Sequence, residues 1–187
     1  MTLTLKIVIG STRPGRKGPQ IADWVAGQAR AQGGFDVEVV DLAAIALPLL
    51  DEVEHPVKRA YQHAHTQTWS AIVDSADAFV FVSPEYDFFA PASLVNAVQT
   101  LLHEWRYKPA AIVSYGGASG GLRAAQVLRG LLGNVGMMAI PQGVMLPGFA
   151  AHLHDDGFQP PQIAADSAGV MLAELAKWAG ALKPLRA

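Results

Sequence analysis

Val82-Ser83-Pro84-Glu85-Tyr86-Asp87-Phe88-Phe89-Ala90-Pro91-Ala92-Ser93-Leu94-Val95-Asn96 decides how this chain is read. The stretch is a short apolar run that stops at a proline and a group of aromatics, then restarts as a helix. A second stretch follows the same order. Leu5–Ile9 is rich in β-branched residues, Gly10 to Gly18 is a loop, and Pro19 suits the first turn of a helix. A third run, Ala110 to Val113, breaks at Gly116-Gly117, after which Leu122, Ala125, Leu128 and Leu132 share one helix face.

Working outward, Gly33-Gly34 ends the first helix and Val37, Val39 and Val40 predict another strand, with Met137 to Ile140 a fifth. Residues 42–56 read as an irregular connection, and helices are expected over about 57–75 and over 92–103. Met171, Leu175, Trp178 and Leu182 line one face of a closing helix. Strands alternating with helices predict an α/β fold whose parallel sheet is covered on both faces. With no repeat and no linker, residues 1–187 are expected to form a single domain.

Half of the residues are hydrophobic and only 16% are charged, which fits a well-buried globular protein. A net charge of −2 gives no general attraction to nucleic acid or to an acidic membrane surface. The absence of cysteine excludes disulfides, thiolate metal sites and cysteine nucleophiles. No apolar stretch reaches the length of a membrane span. The first residues lack the basic start and small-residue cleavage site of a secretory signal, so they read as a strand and a cytoplasmic protein is expected.

In open α/β sheets, ligands bind outside the carboxyl ends of the strands. Gly10-Ser11-Thr12-Arg13-Pro14-Gly15-Arg16-Lys17-Gly18 has what a phosphate requires: hydroxyls, a guanidinium, flexible backbone and a helix start. It is not a nucleoside-triphosphate loop, because Arg16 stands at the lysine position and no hydroxyl follows. A basic, solvated turn is the competing reading. The loop Pro84-Glu85-Tyr86-Asp87-Phe88-Phe89 is too aromatic for a solvated turn and suits the face of a flat ring. Ser114-Tyr115-Gly116-Gly117 would let backbone approach the edge of such a ring. Phe88 and Phe89 suit a ligand contact and packing against the sheet or a second subunit equally well.

Other candidates carry less. His152-Leu153-His154-Asp155-Asp156 reads as a solvated loop rather than a metal site, and His63 and His65, two apart, fall on different helix faces. No serine lies in a nucleophile motif. Trp24 and Trp178 read as core, and Trp105 as core or subunit contact at the ring end of the sheet.

Four segments together resemble the NADPH-dependent FMN reductase family: Gly10-Ser11-Thr12-Arg13, Pro84-Glu85-Tyr86-Asp87, Leu94-Val95-Asn96-Ala97 and Gly116-Gly117-Ala118-Ser119-Gly120-Gly121. They occur in order over roughly residues 5–140. The resemblance implies a flavodoxin-like three-layer sandwich with strand order 2-1-3-4-5, bound FMN, NADPH or NADH as cosubstrate, a small-molecule acceptor, and a homodimer or homotetramer. It places the FMN phosphate on Ser11, Thr12, Arg13 and Gly18. It places the ring on Pro84, Glu85, Tyr86 and Asp87, with Ser114, Gly116 and Gly117 at its edge. The cofactor would carry the chemistry, so no protein acid, base or nucleophile is expected. Asp87 stands where the family carries asparagine, and Val95 where lysine is common. The alternative is a flavodoxin-type electron carrier, against which the small net charge argues.

Overall fold

The computed structural model describes residues 2–186. In chain order the elements are β1 (Leu3–Ile9), α1 (Gly18–Gln32), β2 (Phe35–Asp41), α2 (Leu42–Ile45), α3 (Ala64–Asp74), β3 (Ala78–Pro84) and α4 (Ala92–Gln99). They continue with β4 (Pro109–Gly116), α5 (Leu122–Asn134), β5 (Met138–Pro147), the short pair β6 (Leu153–His154) and β7 (Gly157–Phe158), and α6 (Gln162–Leu182). The five long strands form one parallel sheet in the order β2-β1-β3-β4-β5. The expected flavodoxin-like fold is the one observed. Strand order reverses between β1 and β3, and the two loops leaving them flank the resulting crevice.

Strand alternation sorts the core into two layers. Leu5, Ile7, Ile9, Val80, Val82, Val113 and Tyr115 face α1 and α6. Val8, Phe79, Phe81 and Ile112 face α3, α4 and α5. Trp24 lies on the first side, its ring edge-on to Phe158 at 5.8 Å. Trp105 is fully buried on the second, against Phe79, Phe81 and Trp69. It precedes β4, at the amino end of the strands. That corrects its expected place beside the ring loop and removes it from any subunit contact.

The helix expected from residue 57 begins only at Ala64. Pro56–Lys58 makes a single 3₁₀ turn, closed by Arg59 in a left-handed conformation at φ 51°. The Glu52 carboxylate then accepts the N–H groups of Gln62 (2.8 Å) and His63 (3.0 Å), holding the chain extended ahead of α3. His63 is therefore the N-cap rather than a helical residue. Its ring stacks on that of His65 at 5.2 Å, which corrects the expectation of separate faces. β5 runs seven residues past Ile140, because a bulge opposite Ala110 and Ile112 lets pairing resume at Gly143. Arg129 secures the bulge by donating to the carbonyls of Ile140 and Pro141.

Candidate functional site

The loop after β1 is built to lie close against its neighbours. A Cβ on Gly10 would stand 2.9 Å from Leu94 Cδ2 and 3.2 Å from the Val82 carbonyl oxygen, so a larger residue there would press on both neighbours. Gly10 N–H donates to that carbonyl at 3.0 Å, and Ser93 Oγ donates to the Gly10 carbonyl at 2.6 Å. α4 is thereby tied to the loop. Gly15 takes φ 71°, reversing the chain toward α1. α1 itself starts with no side-chain cap.

Among the described residues, the N–H groups of Ser11, Thr12, Gly15, Lys17 and Gly18 have no acceptor within the protein. They gather at the positive end of a 15-residue helix. Arg16 is held by an ion pair with Asp41, the residue that also caps α2. Arg13 is exposed, and its guanidinium makes no hydrogen bond among the described residues and lies 6.0 Å from the Tyr86 ring centre. A cavity of about 280 Å³ lined by Thr12, Leu42, Ala43, Leu47 and Ser93 adjoins this loop.

The loop after β3 is a two-residue hairpin. Tyr86 and Phe89 exchange both backbone hydrogen bonds at 2.9 Å, and the central residues Asp87 and Phe88 have φ of 48° and 73°. Positive φ at both positions is the geometry of a type I′ turn, which aspartate tolerates and phenylalanine resists. The Arg123 guanidinium lies 3.9 Å over the Phe88 ring and offsets that strain. Tyr86 Oη sits 2.7 Å from the buried Ser11 Oγ, joining this hairpin to the first loop.

Glu85 turns away from the hairpin. Its carboxylate accepts the N–H groups of Arg123 (3.1 Å) and Ala124 (3.3 Å) and bonds Ser119 Oγ (3.2 Å), capping α5 from another loop. It also pairs with the Arg123 side chain, whose Nε lies at 2.7 Å. Desolvation pushes this carboxyl up, but the Arg123 hydrogen bond and the α5 N–H groups outweigh it and hold it below its usual value.

In the loop after β4, Ser114 Oγ donates to the Gly120 carbonyl at 2.9 Å, so it closes the turn rather than facing outward. The carbonyls of Gly116 and Gly117 both accept the Gly148 N–H at 3.1 Å. The N–H groups of Gly117, Ala118 and Ser119 have no acceptor among the described residues, and a Cβ on Gly117 would meet nothing within 4 Å. Backbone donors therefore line this side of the crevice, with open space above Gly117.

All eleven singled-out residues fall on these three loops or on the element ends that border them, Gly18 opening α1, Pro84 closing β3, and Ser114 and Gly116 ending β4. Ser11, Thr12, Arg13, Gly18, Tyr86, Asp87, Gly116 and Gly117 stand at the carboxyl edge of the sheet, Ser11 and Gly18 buried there and Thr12, Arg13 and Asp87 exposed. The side chains of Glu85 and Ser114 are committed to the scaffold, and Pro84 is buried. Sequence reasoning left out Tyr115. A Cβ on Gly18 would come 3.1 Å from its phenol oxygen, which therefore reaches the start of α1. Burial first, then the nearby Tyr86, raises the Tyr115 pKa, so the phenol stays a proton donor. Its place beside Ser114 at a strand end was the available signal. Arg123 was also left out: besides the nearby Ser119 hydroxyl, the partners that give it a role, Phe88 and Glu85, are 35 and 38 residues away.

No group of three or more metal-ligating side chains is found among the described residues, and none of their helices is long and apolar enough to cross a membrane. The family model described as NADPH-dependent FMN reductase matches residues 3–151. The chain is 41% identical over 129 residues to an NAD(P)H-dependent FMN reductase of Schizosaccharomyces pombe, covering 68% of this chain but 64% of that protein's length. An NAD(P)H-dependent FMN reductase of Saccharomyces cerevisiae is 38% identical over 143 residues, 69% of this chain and 75% of its own length. Among solved structures, the flavoenzyme NAD(P)H:(acceptor) oxidoreductase FerB of Paracoccus denitrificans superposes with a TM-score of 0.73. That match has 20% identity and covers 96% of this chain and 98% of FerB.

Proposed function

The chain belongs to the NADPH-dependent FMN reductase family, and we propose that it passes a hydride from NAD(P)H by way of FMN to a small acceptor such as a flavin or a quinone. One observation supports this reading most. Unpaired backbone N–H groups stand on two loops at the carboxyl edge of the sheet, one set at the positive end of α1 and in the loop that carries the unpartnered Arg13 guanidinium. That donor set suits a phosphate at one end and the polar edge of a ring at the other. The residues present therefore fit FMN.

FMN, when bound, supplies the hydride acceptor and the electron relay. The protein binds and orients. Ser11, Thr12, Arg13 and the N–H of Gly18 hold the phosphate, with the Tyr115 phenol donating from beside Gly18. Pro84, Tyr86 and Asp87 set the ring position, and Glu85 fixes that hairpin by anchoring it to α5. The N–H groups of Gly117, Ala118 and Ser119 face the ring edge, while Ser114 and Gly116 hold their loop in shape. No side-chain acid or base is required for hydride transfer between two flat rings.

In this reading residues 1–187 act as one FMN-binding domain in the cytoplasm, as a homodimer or homotetramer. Phe88 and Phe89, 56% and 58% exposed beside the crevice, support a subunit contact there. Anaerobic mixing of the protein with stoichiometric FMN and NADPH tests the function. Bleaching of the visible flavin band far faster than in a protein-free control is expected. Bound flavin that bleaches no faster than the control would favour the carrier reading, and flavin that stays unbound would overturn the site.

A further inference from the structure

The amino end of the sheet carries a second, different concavity. A cavity of about 510 Å³ is lined by Arg59, Arg106, Lys108, Lys183 and Arg186, facing Asp74, Asp77 and Glu104. Five cations against three carboxylates leave an excess of two positive charges, in a chain whose net charge is −2. The carboxylates are already engaged. Glu104 accepts from Ser70 (2.7 Å), Arg59 Nε (3.0 Å) and Tyr61 (3.1 Å). Asp77 accepts from Lys183 (2.9 Å), Thr4 N–H (3.0 Å) and Arg186 (3.0 Å), and Asp74 pairs with Arg59 at 3.2 Å.

Donors remain after this pairing. Lys108 is 3% exposed and gives two of its three N–H groups to the carbonyls of Val73 and Asp74, both at 2.8 Å. Arg186 Nε is buried with no partner among the described residues. Arg106 is exposed and makes no side-chain hydrogen bond among the described residues. Between Arg106 and Lys108 stands Tyr107, 48% exposed and held at φ 59°, its N–H given to the Gly136 carbonyl at 3.0 Å. A bulky residue kept in the left-handed region marks a position that the surroundings over-determine, as ligand sites do. The volume falls within the range of small-molecule sites.

We propose that this cavity binds a phosphate-bearing anion on Arg106, Lys108 and Arg186, at the end of the sheet opposite the three loops. Hydrophobic ligands are disfavoured because the lining offers charge and N–H groups. A guanidinium fork, an ammonium and an unpaired Nε instead suit tetrahedral oxygens. The Tyr107 ring would add a stacking surface if the phosphate is carried by a nucleotide.

The test is a binding titration of the full chain, loaded with FMN, against pyrophosphate and against ADP at low ionic strength, with the flavin spectrum followed in the same samples. Saturable binding of pyrophosphate is expected, weakened about tenfold or more by Arg106→Glu while the flavin spectrum stays unchanged. The Arg106 side chain makes no hydrogen bond to lose and is exposed, so this variant keeps the fold. ADP binding more tightly than pyrophosphate, with the difference abolished by Tyr107→Ala, would identify a nucleotide; equal affinities would identify free phosphate. Absence of saturable binding, or binding undiminished in Arg106→Glu, would show a purely structural ion-pair network and overturn the proposal. Either result stands apart from the flavin site, which the spectrum reports.

Discussion

Ser11 Oγ and Tyr86 Oη, 75 positions apart in sequence, lie 2.7 Å from each other and join the loop after β1 to the hairpin after β3. Ser11 is fully buried, so its hydroxyl depends on this partner. In the proposed reading this bond would set the spacing between the phosphate end and the ring end of the site. Tyr86→Phe keeps the ring and removes only the hydroxyl. FMN affinity measured by quenching of flavin fluorescence should fall roughly fivefold, the value of one lost hydrogen bond of about 1 kcal/mol. Unchanged affinity would mean that the two loops hold their spacing without it.

The Tyr115 phenol reaches the start of α1 and Arg13 stands in the loop leading into it, and comparing FMN with riboflavin isolates their role. Arg13→Ala should weaken FMN at least tenfold, because a charge-assisted hydrogen bond to phosphate is lost. Tyr115→Phe should weaken it about threefold to tenfold. Riboflavin, which lacks the phosphate, should bind both variants as it binds the parent. Equal losses for both flavins would place these side chains at the ring instead.

The ends of β1, β3 and β4 were legible because each is a compact apolar run that stops at glycine or proline, as at Ile9-Gly10 and Ser83-Pro84. Backbone chemistry at the loops was legible for the same reason, since glycine spacing reports where chain must approach closely. Long-range side-chain partnerships were not. Glu85 reads as a ring contact in sequence, yet its carboxylate caps α5 through Arg123 and Ala124, a pairing fixed only when β3 and β4 lie side by side. The start of α3 was misplaced because Glu52, ten residues upstream, takes the N–H that would have continued the helix backward. Tyr115 was overlooked because alternation sends it toward α1 while its neighbour Ser114 faces the other layer.

Lys108 gives the fold a pH dependence of defined sign. Burial lowers its pKa from 10.5 to about 8, with Asp74 opposing the shift. Between those values the unfolded chain holds more protons than the folded one, so stability rises with pH across that window. Below about pH 8 the full cost of burying the ammonium is present, roughly 3 kcal/mol at about 1.4 kcal/mol per pH unit. Urea unfolding at pH 7, 8, 9 and 10 should show the parent gaining stability relative to Lys108→Met. Parallel profiles would mean that Lys108 titrates near its ordinary value in the folded chain.

Asp87 is the first central residue of the type I′ turn, at φ 48°, where aspartate and asparagine are both at home. Asp87→Asn therefore leaves the hairpin shape intact and changes only charge and hydrogen-bond capacity. A carboxylate beside the crevice disfavours negative charge on reduced flavin, so the substitution should raise the midpoint potential of the bound cofactor. Asp87 is solvent-exposed, so screening limits the effect. One charge about 10 Å away in water is worth about 0.4 kcal/mol, roughly 10 mV for a two-electron couple. Spectroelectrochemical titration of both proteins at pH 7 measures the difference. A rise near that size would place the carboxylate over solvent at the ring's edge, and a rise several times larger would place it in a water-excluded contact with the ring. No rise would show that the Asp87 side chain points away from the cofactor, leaving its backbone conformation as its contribution to the site.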